Sequence, residues 1–271
     1  MNDQLDRTET FANVEANGLS INYSRRGVGP PLILIHGGEA DHSMFSVLGA
    51  HLAARYTVIA YDQRDSGATQ DLASLPRDYA LADMGDDAAE FIKALGYQRA
   101  HVFGTSLGGH IAQVLAARHP DCVDRLILGS TWRAGAGLMA VNAPVAEQLS
   151  IWRTDIGRYA PDIASKFFTE NYLHAHPECI EIFRGSRRTA EQNARRSRLL
   201  GVPYPIGHGG ISMPSLLLMG EKDALIPNAA TRAVAEFLIE PHVQVIPGVG
   251  HIAAIEAPGE LCQRIMAFLA L

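Results

Sequence analysis

Cysteine is scarce in this chain. Three residues among 271, Cys122, Cys179 and Cys262, are odd in number and far apart, which excludes a disulfide framework and a thiolate metal site and leaves all three as buried filler. An excess of basic charge is also missing, with 23 Lys and Arg against 29 Asp and Glu and a net charge of −6. No nucleic-acid partner is expected from that balance. No apolar run reaches membrane-spanning length, and the opening MNDQLDRTET is polar and acidic rather than a secretory signal. The expectation is a cytoplasmic protein without a membrane partner. Repeats and low-complexity tracts are absent, and nothing in the sequence sets an oligomeric state. What is present, 47% hydrophobic and 19% charged residues, is the composition of an ordinary soluble globule, long enough for one large α/β domain with an insertion.

Short β-type runs alternate with helical ones, which points to a mostly parallel sheet covered on both faces. Phe11 to Ala16 and Leu19 to Arg25, joined at Asn17-Gly18, predict an opening hairpin. Unbroken apolar runs predict buried strands at Leu32 to Ile35, Thr57 to Tyr61 and Leu126 to Leu128. Helical spacing covers Met44 to Ala54, Leu81 to Leu95 and Ile111 to Arg118, with Gly96 as a C-cap and Pro120 as a stop. After Pro214 the rhythm resumes with strand Ser215 to Met219, helix Ala229 to Ile239, strand Val243 to Ile246 and helix Glu260 to Leu269.

Residues 132–210 break the alternation. They hold no strand-like run, both tryptophans, several aromatic helical segments and a string of arginines, and carry about +3 against about −9 for the remainder. They read as a helical cap inserted into a core made of 1–131 and 211–271.

Gly104-Thr105-Ser106-Leu107-Gly108 is the most informative stretch. A serine on a sharp strand-to-helix turn stands clear of the sheet, and glycines at 104, 108 and 109 relieve the crowding there. Because a helix starts directly after it, the Leu107 amide is a free donor at a positive dipole end, suited to an oxyanion. One loop offers nucleophile and oxyanion donor together.

This pattern, with His36-Gly37-Gly38 after one buried strand, Asp62-Gln63-Arg64 after the next, and a late acid and histidine, resembles the α/β-hydrolase fold family from about Asn17 to the C-terminus. The resemblance implies a mostly parallel eight-stranded sheet flanked by helices, with a helical cap. It implies a second oxyanion donor at Gly38 or its rival Glu39, an acid at Asp223 with Glu221 nearby, and a base at His251. In the family order Ser, Asp, His, the acid holds the histidine in one tautomer and stabilises imidazolium. A histidine's ordinary pKa suits a general base near neutrality.

Other residues draw blander readings. His36 is a packing or hydrogen-bonding residue of the oxyanion loop, His110 a satisfied core histidine, and His208 follows no strand. His174, His176 and Glu178 make too poor a set for a metal site, and no metal or cofactor is expected. The resemblance usually has glycine where this chain has Asp65, while a polyketide methylesterase branch is similar in its Arg-Asp pair. Arg64 and its acidic neighbours are expected to brace the oxyanion loop. Arg184, Arg187, Arg188, Arg195, Arg196 and Arg198 read mainly as one solvated face.

The expected activity is hydrolysis of a small-molecule carboxylic ester or lactone through an acyl-enzyme on Ser106. Trp132 and Trp152 are candidate substrate contacts. Dehalogenases and epoxide hydrolases of this fold carry aspartate at the elbow, so Ser106 argues against both. Proline iminopeptidases share an Asp-Gln-Arg loop but differ around the elbow. Two alternatives stand: a carbon–carbon bond hydrolase of a dienoic keto acid whose cap arginines take a carboxylate, and a receptor-like member with weak turnover.

Overall fold

A computed structural model describes residues 8–73, 78–184 and 188–271; the first seven residues and Arg187 lie outside them. The chain opens with the hairpin β1 (Thr10–Ala16) and β2 (Leu19–Arg26), then β3 (Pro31–Ile35), α1 (Ser46–Leu52), β4 (Thr57–Tyr61) and the two-residue β5 (Gln70–Asp71). It continues through α2 (Leu81–Ala94), β6 (Ala100–Thr105), α3 (Leu107–Arg118) and β7 (Val123–Gly129). Among the described residues six helices follow before the next strand: α4 (Leu138–Val141), α5 (Ala143–Trp152), α6 (Ile156–Phe167), α7 (Glu170–Ala175), α8 (Glu181–Arg184) and α9 (Ala190–Ser197). The chain closes with β8 (Ser215–Gly220), α10 (Asn228–Ala233), β9 (His242–Ile246), α11 (Ala253–Glu256) and α12 (Pro258–Leu269).

Eight strands lie on one path in the order β1-β2-β4-β3-β6-β7-β8-β9, and β5 pairs with β2 as a ninth. The β1–β2 and β2–β4 pairs are antiparallel and every pair from β4 to β9 is parallel. Asn17 and Gly18 both take positive φ, the conformation a two-residue hairpin turn requires. In β3 the side chains alternate: Ile33 and Ile35 pack with Phe91 of α2 and Ile111 of α3, whereas Leu32 and Leu34 pack with Leu48 of α1 and Phe268 of α12. That alternation makes the sheet the middle of three layers. A third apolar cluster joins Phe167, Phe168 and Phe183 of the helical segment to Leu225 and Ile226 after β8.

Two elements differ from their sequence pattern. The helix expected from Met44 begins as a 3-10 turn at His42–Phe45, because the Asp41 carboxylate accepts the Ser43 N–H at 2.9 Å and starts the turn early. The helix expected over 229–239 ends at Ala233 and tightens into a 3-10 turn, Val234–Phe237, which buries Val234 and Phe237 at i and i+3.

The strand order places the site. After β3 the chain passes to β4 on one side, and β6 lies on the other. The loops that leave the C-terminal ends of these neighbours therefore diverge and open a crevice, the usual binding place in a parallel sheet.

Candidate active site

Ser106 stands at that crevice, between β6 and α3, with φ 54° and ψ −122°. This backbone conformation is disfavoured for any residue with a Cβ, and its surroundings enforce it. A Cβ on Gly108 would lie 2.1 Å from the Ile35 carbonyl oxygen, and one on Gly104 would lie 2.3 Å from that of Gly108. Neither glycine has positive φ; the two permit close backbone approach, while the serine itself carries the strained angle. Leu107 is the first residue of α3, so its N–H has no acceptor within the helix.

The loop after β3 comes against the elbow. A Cβ on Gly37 would be 3.5 Å from Ser106 Cβ, and one on Gly38 would be 3.8 Å from Leu107 Cδ2. Gly38, Glu39, Ser106 and His251 line one cavity of about 510 Å³. The Glu39 carboxylate turns outward to an ion pair with Arg153 of the helical segment.

His251 and Asp223 meet behind this cavity. Nδ1 of His251 is 2.9 Å from Asp223 Oδ2, and the two side chains are 2% and 1% exposed. The other oxygen, Oδ1, accepts the N–H groups of Leu225 at 3.0 Å and Ile226 at 2.8 Å. The carboxylate is thus fixed by three bonds, and Nδ1–H is its donor. Nε2 of His251 is buried without a hydrogen-bond partner among the described residues. Glu221, the rival acid, instead accepts the Gly248 N–H at 2.9 Å.

Two further features hold the His251 loop, and sequence pattern had not marked the second. The Phe167 carbonyl accepts the His251 N–H at 2.9 Å, with the Phe167 ring edge-on to the imidazole at 5.5 Å. Glu256 accepts the Gly250 N–H at 2.9 Å through Oε2 and the Thr169 hydroxyl through Oε1. A lone glutamate in a four-residue helix carries no local signal for such a role.

Several other histidines make structural contacts. His36 accepts the Gln63 N–H at Nε2 and donates from Nδ1 to the Gly37 carbonyl; burial and the nearby Arg196 push its pKa down to about 4. His110 accepts the Gly135 N–H at Nδ1, and burial pushes its pKa down to about 3. Its Nε2 has no hydrogen-bond partner among the described residues, and its ring stands edge-on to Trp132 at 4.3 Å. His208 bonds the Glu236 carbonyl, and His176 pairs with Glu178 at the surface. Asp62 gathers the N–H groups of His42 and Ala68 and the His42 ring. Burial opposes its ionisation, yet these bonds outweigh it and hold its pKa below the ordinary carboxylate value.

Three expectations change. Trp132 and Trp152 do not line the cavity: Trp132 packs on His110 and donates to the Ala136 carbonyl, and Trp152 stacks on Tyr159 beneath Lys166. The apolar walls are instead Met44, Val47, Ile156, Phe167, Ile182 and Phe183. The Arg64 guanidinium does not brace the oxyanion loop. It reaches Asp87 of α2 through two bonds of 2.9 and 2.8 Å, while Asp65 takes Arg195. The arginine string is not one solvated face, because Arg196 is buried and Arg188 lines the cavity. Arg184 and Arg198 do stay at the surface, paired with Glu181 and Asp78.

Comparison with known proteins agrees with the fold. The chain is 26% identical over 274 residues to the 2-(acetamidomethylene)succinate hydrolase of Mesorhizobium japonicum, with 94% of each chain covered. Among solved structures it is similar to an esterase from Thermogutta terrifontis, with a TM-score of 0.77, 25% identity and coverage of 97% and 98%. An enol-lactonase from Burkholderia xenovorans LB400 superposes with a TM-score of 0.80 at 24% identity, covering 97% and 100%. The family model of the alpha/beta hydrolase fold matches residues 30–174, more than half of the chain and the stretch that carries Ser106; the chain belongs to that family.

Proposed function

We propose that this hydrolase cleaves a carboxylic ester or lactone of a small molecule through an acyl-enzyme on Ser106. The observation that carries this reading is the state of His251: Nδ1 committed to Asp223 at 2.9 Å, and Nε2 without a partner among the described residues, beside the cavity that Ser106 lines. In that tautomer Nε2 takes the Ser106 proton as Oγ attacks the carbonyl carbon. The Leu107 and Gly38 N–H groups receive the oxyanion, with Glu39 N–H as the alternative to Gly38. His251 then returns the proton to the leaving alkoxide. Water, deprotonated in turn by His251, attacks the acyl carbon; the bond to Ser106 Oγ breaks, the carboxylic acid leaves, and His251 returns the proton to Oγ. Asp223 stays ionised and stabilises the imidazolium formed in each half-reaction.

Residues 132–210 act as the cap over the core of 1–131 and 211–271 and supply part of the cavity wall. Cys122, Cys179 and Cys262 are free and buried, which suits the reducing cytoplasm. No helix among the described residues is long and apolar enough to cross a membrane. The likeness to the esterase of Thermogutta terrifontis supports the ester reading.

Turnover of p-nitrophenyl acetate, butyrate and octanoate, each against a Ser106→Ala control, tests the proposal. Absence of Ser106-dependent turnover on all three rejects it. A second reading, hydrolysis of a carbon–carbon bond in a dienoic keto acid, is favoured by Arg188 in the cavity wall. Loss of a dienoate chromophore with no ester turnover would select it.

A further inference from the structure

The helical segment reaches the loop after β3 through a continuous series of hydrogen bonds. Arg196 on α9 is a buried cation whose Nη1 donates to the Arg64 carbonyl at 2.8 Å and whose Nη2 donates to Gln63 Oε1 at 2.9 Å. The amide nitrogen of Gln63 donates onward to the His36 carbonyl at 2.5 Å, and the Gln63 N–H donates to His36 Nε2 at 3.3 Å. His36 then donates from Nδ1 to the Gly37 carbonyl at 2.7 Å. In a trans peptide the C=O and N–H point in opposite directions. Fixing the Gly37 carbonyl therefore aims the Gly38 N–H, and fixing the His36 carbonyl aims the Gly37 N–H.

Two neighbours reinforce this arrangement. Arg195 forms a two-pronged pair with Asp65 at 2.8 and 2.8 Å, and Tyr79 donates to the same carboxylate at 3.0 Å. Asp65 has φ 57°, an angle its Cβ disfavours, so the pair holds a strained residue in place. Arg188 donates to the Gly38 carbonyl, which by the same peptide geometry aims the Glu39 N–H. Burial of the Arg196 guanidinium carries a desolvation penalty that an apolar side chain would avoid, and pushes its pKa down to about 10.

We propose that Arg196 is a positioning residue: through the Gln63 side chain it fixes the His36 carbonyl, and so the placement of the residue whose Nδ1 holds the Gly37 carbonyl and aims the Gly38 N–H, so that seating the helical segment completes the oxyanion site. The proposal rests on the Ser106 reading above for its catalytic consequence, but not for its structural one.

Gln63→Glu separates the two halves of the relay. A glutamate keeps an acceptor for Arg196, so the segment stays seated, but it has no donor for the His36 carbonyl. We expect a Tm lower by a few degrees, because the buried His36 carbonyl loses its donor, and a kcat lower by about tenfold or more, since a misplaced oxyanion donor costs transition-state binding, with KM within about twofold. Amides of Gly37, Gly38 and Glu39 should exchange deuterium faster, and those of β3 should not. Arg196→Met should give the same signature where it folds. Wild-type kcat in Gln63→Glu, or unchanged exchange over Gly37 to Glu39, overturns the proposal. If the wild-type protein shows no Ser106-dependent turnover, the ester reading fails and the exchange measurement alone decides the relay.

Discussion

Asp223 meets His251 at 2.9 Å with its second oxygen already taken by the N–H groups of Leu225 and Ile226. The carboxylate therefore has one orientation, and only an Nδ1–H imidazole satisfies it. Asp223→Asn would keep the two backbone bonds through Oδ1 and turn an NH2 toward Nδ1. His251 would then hold its proton on Nε2, where it cannot accept one from Ser106. We predict a fall in kcat of about 10⁴-fold with little change in KM or in thermal stability. Steady-state kinetics beside a melting curve checks this, and a loss below about tenfold would remove Asp223 from its assigned role.

The strained angle at Ser106 sets a stability contrast between two inactive variants. Ser106→Ala keeps a Cβ at φ 54°, whereas Ser106→Gly removes it. Both should lose nearly all turnover. The glycine variant should be the more stable of the two, by about 1 kcal/mol, because relief of strain in the folded state exceeds the added freedom of the unfolded chain. Equal urea midpoints would show that the turn stores no such strain.

The elbow, the two loops beside it and the late acid and histidine were legible because each is confined to a few residues after a buried strand. Steric limits on a tight turn leave little choice of residue at Gly104, Ser106 and Gly108, and the ordering of the loops follows from the alternation of strands and helices. The helical segment was not legible in the same way. A tryptophan satisfies an apolar core as well as a pocket wall, and Trp132 and Trp152 took the first option while Ile156, Phe167 and Ile182 took the second. Arg196 looked solvated because its acceptors, Gln63 and Arg64, lie more than 130 positions earlier. The partner of the Arg64 guanidinium, Asp87, is hidden for the same reason: it depends on how α2 packs, which no local spacing reveals.

Stability should fall on mild acidification. Burial holds His36 near a pKa of about 4 and His110 near about 3, against 6.5 in the unfolded chain. Between about pH 6.5 and 4 the unfolded chain binds protons that these two folded histidines refuse, so each can subtract up to about 1.4 kcal/mol per pH unit as pH drops. His42 works in the opposite sense. Its hydrogen bond to Asp62 raises its pKa, and the stability it contributes is complete below about pH 6.5 and lost as pH rises through the folded value. Two buried groups outweigh one half-buried group, and urea midpoints should be lower at about pH 5 than at about pH 7. Equal midpoints would contradict neutral burial of His36 and His110.

Glu256 should matter to catalysis without touching substrate. Its carboxylate joins the Gly250 N–H to the Thr169 hydroxyl, and the neighbouring Phe167 carbonyl holds the His251 N–H, so the histidine loop hangs on the helical segment at two adjacent points. Glu256→Ala would leave two donors unpaired and cost about 1–3 kcal/mol in stability. It should also lower kcat by about tenfold, because His251 loses one of the anchors that fix its approach to Ser106. Glu256→Gln separates positioning from charge. Its carbonyl can still accept from Gly250 while its NH2 donates to Thr169 Oγ1, the hydroxyl reversing its role. That variant should keep most of the wild-type kcat. If Gln is as damaging as Ala, the negative charge rather than the anchoring is what His251 requires.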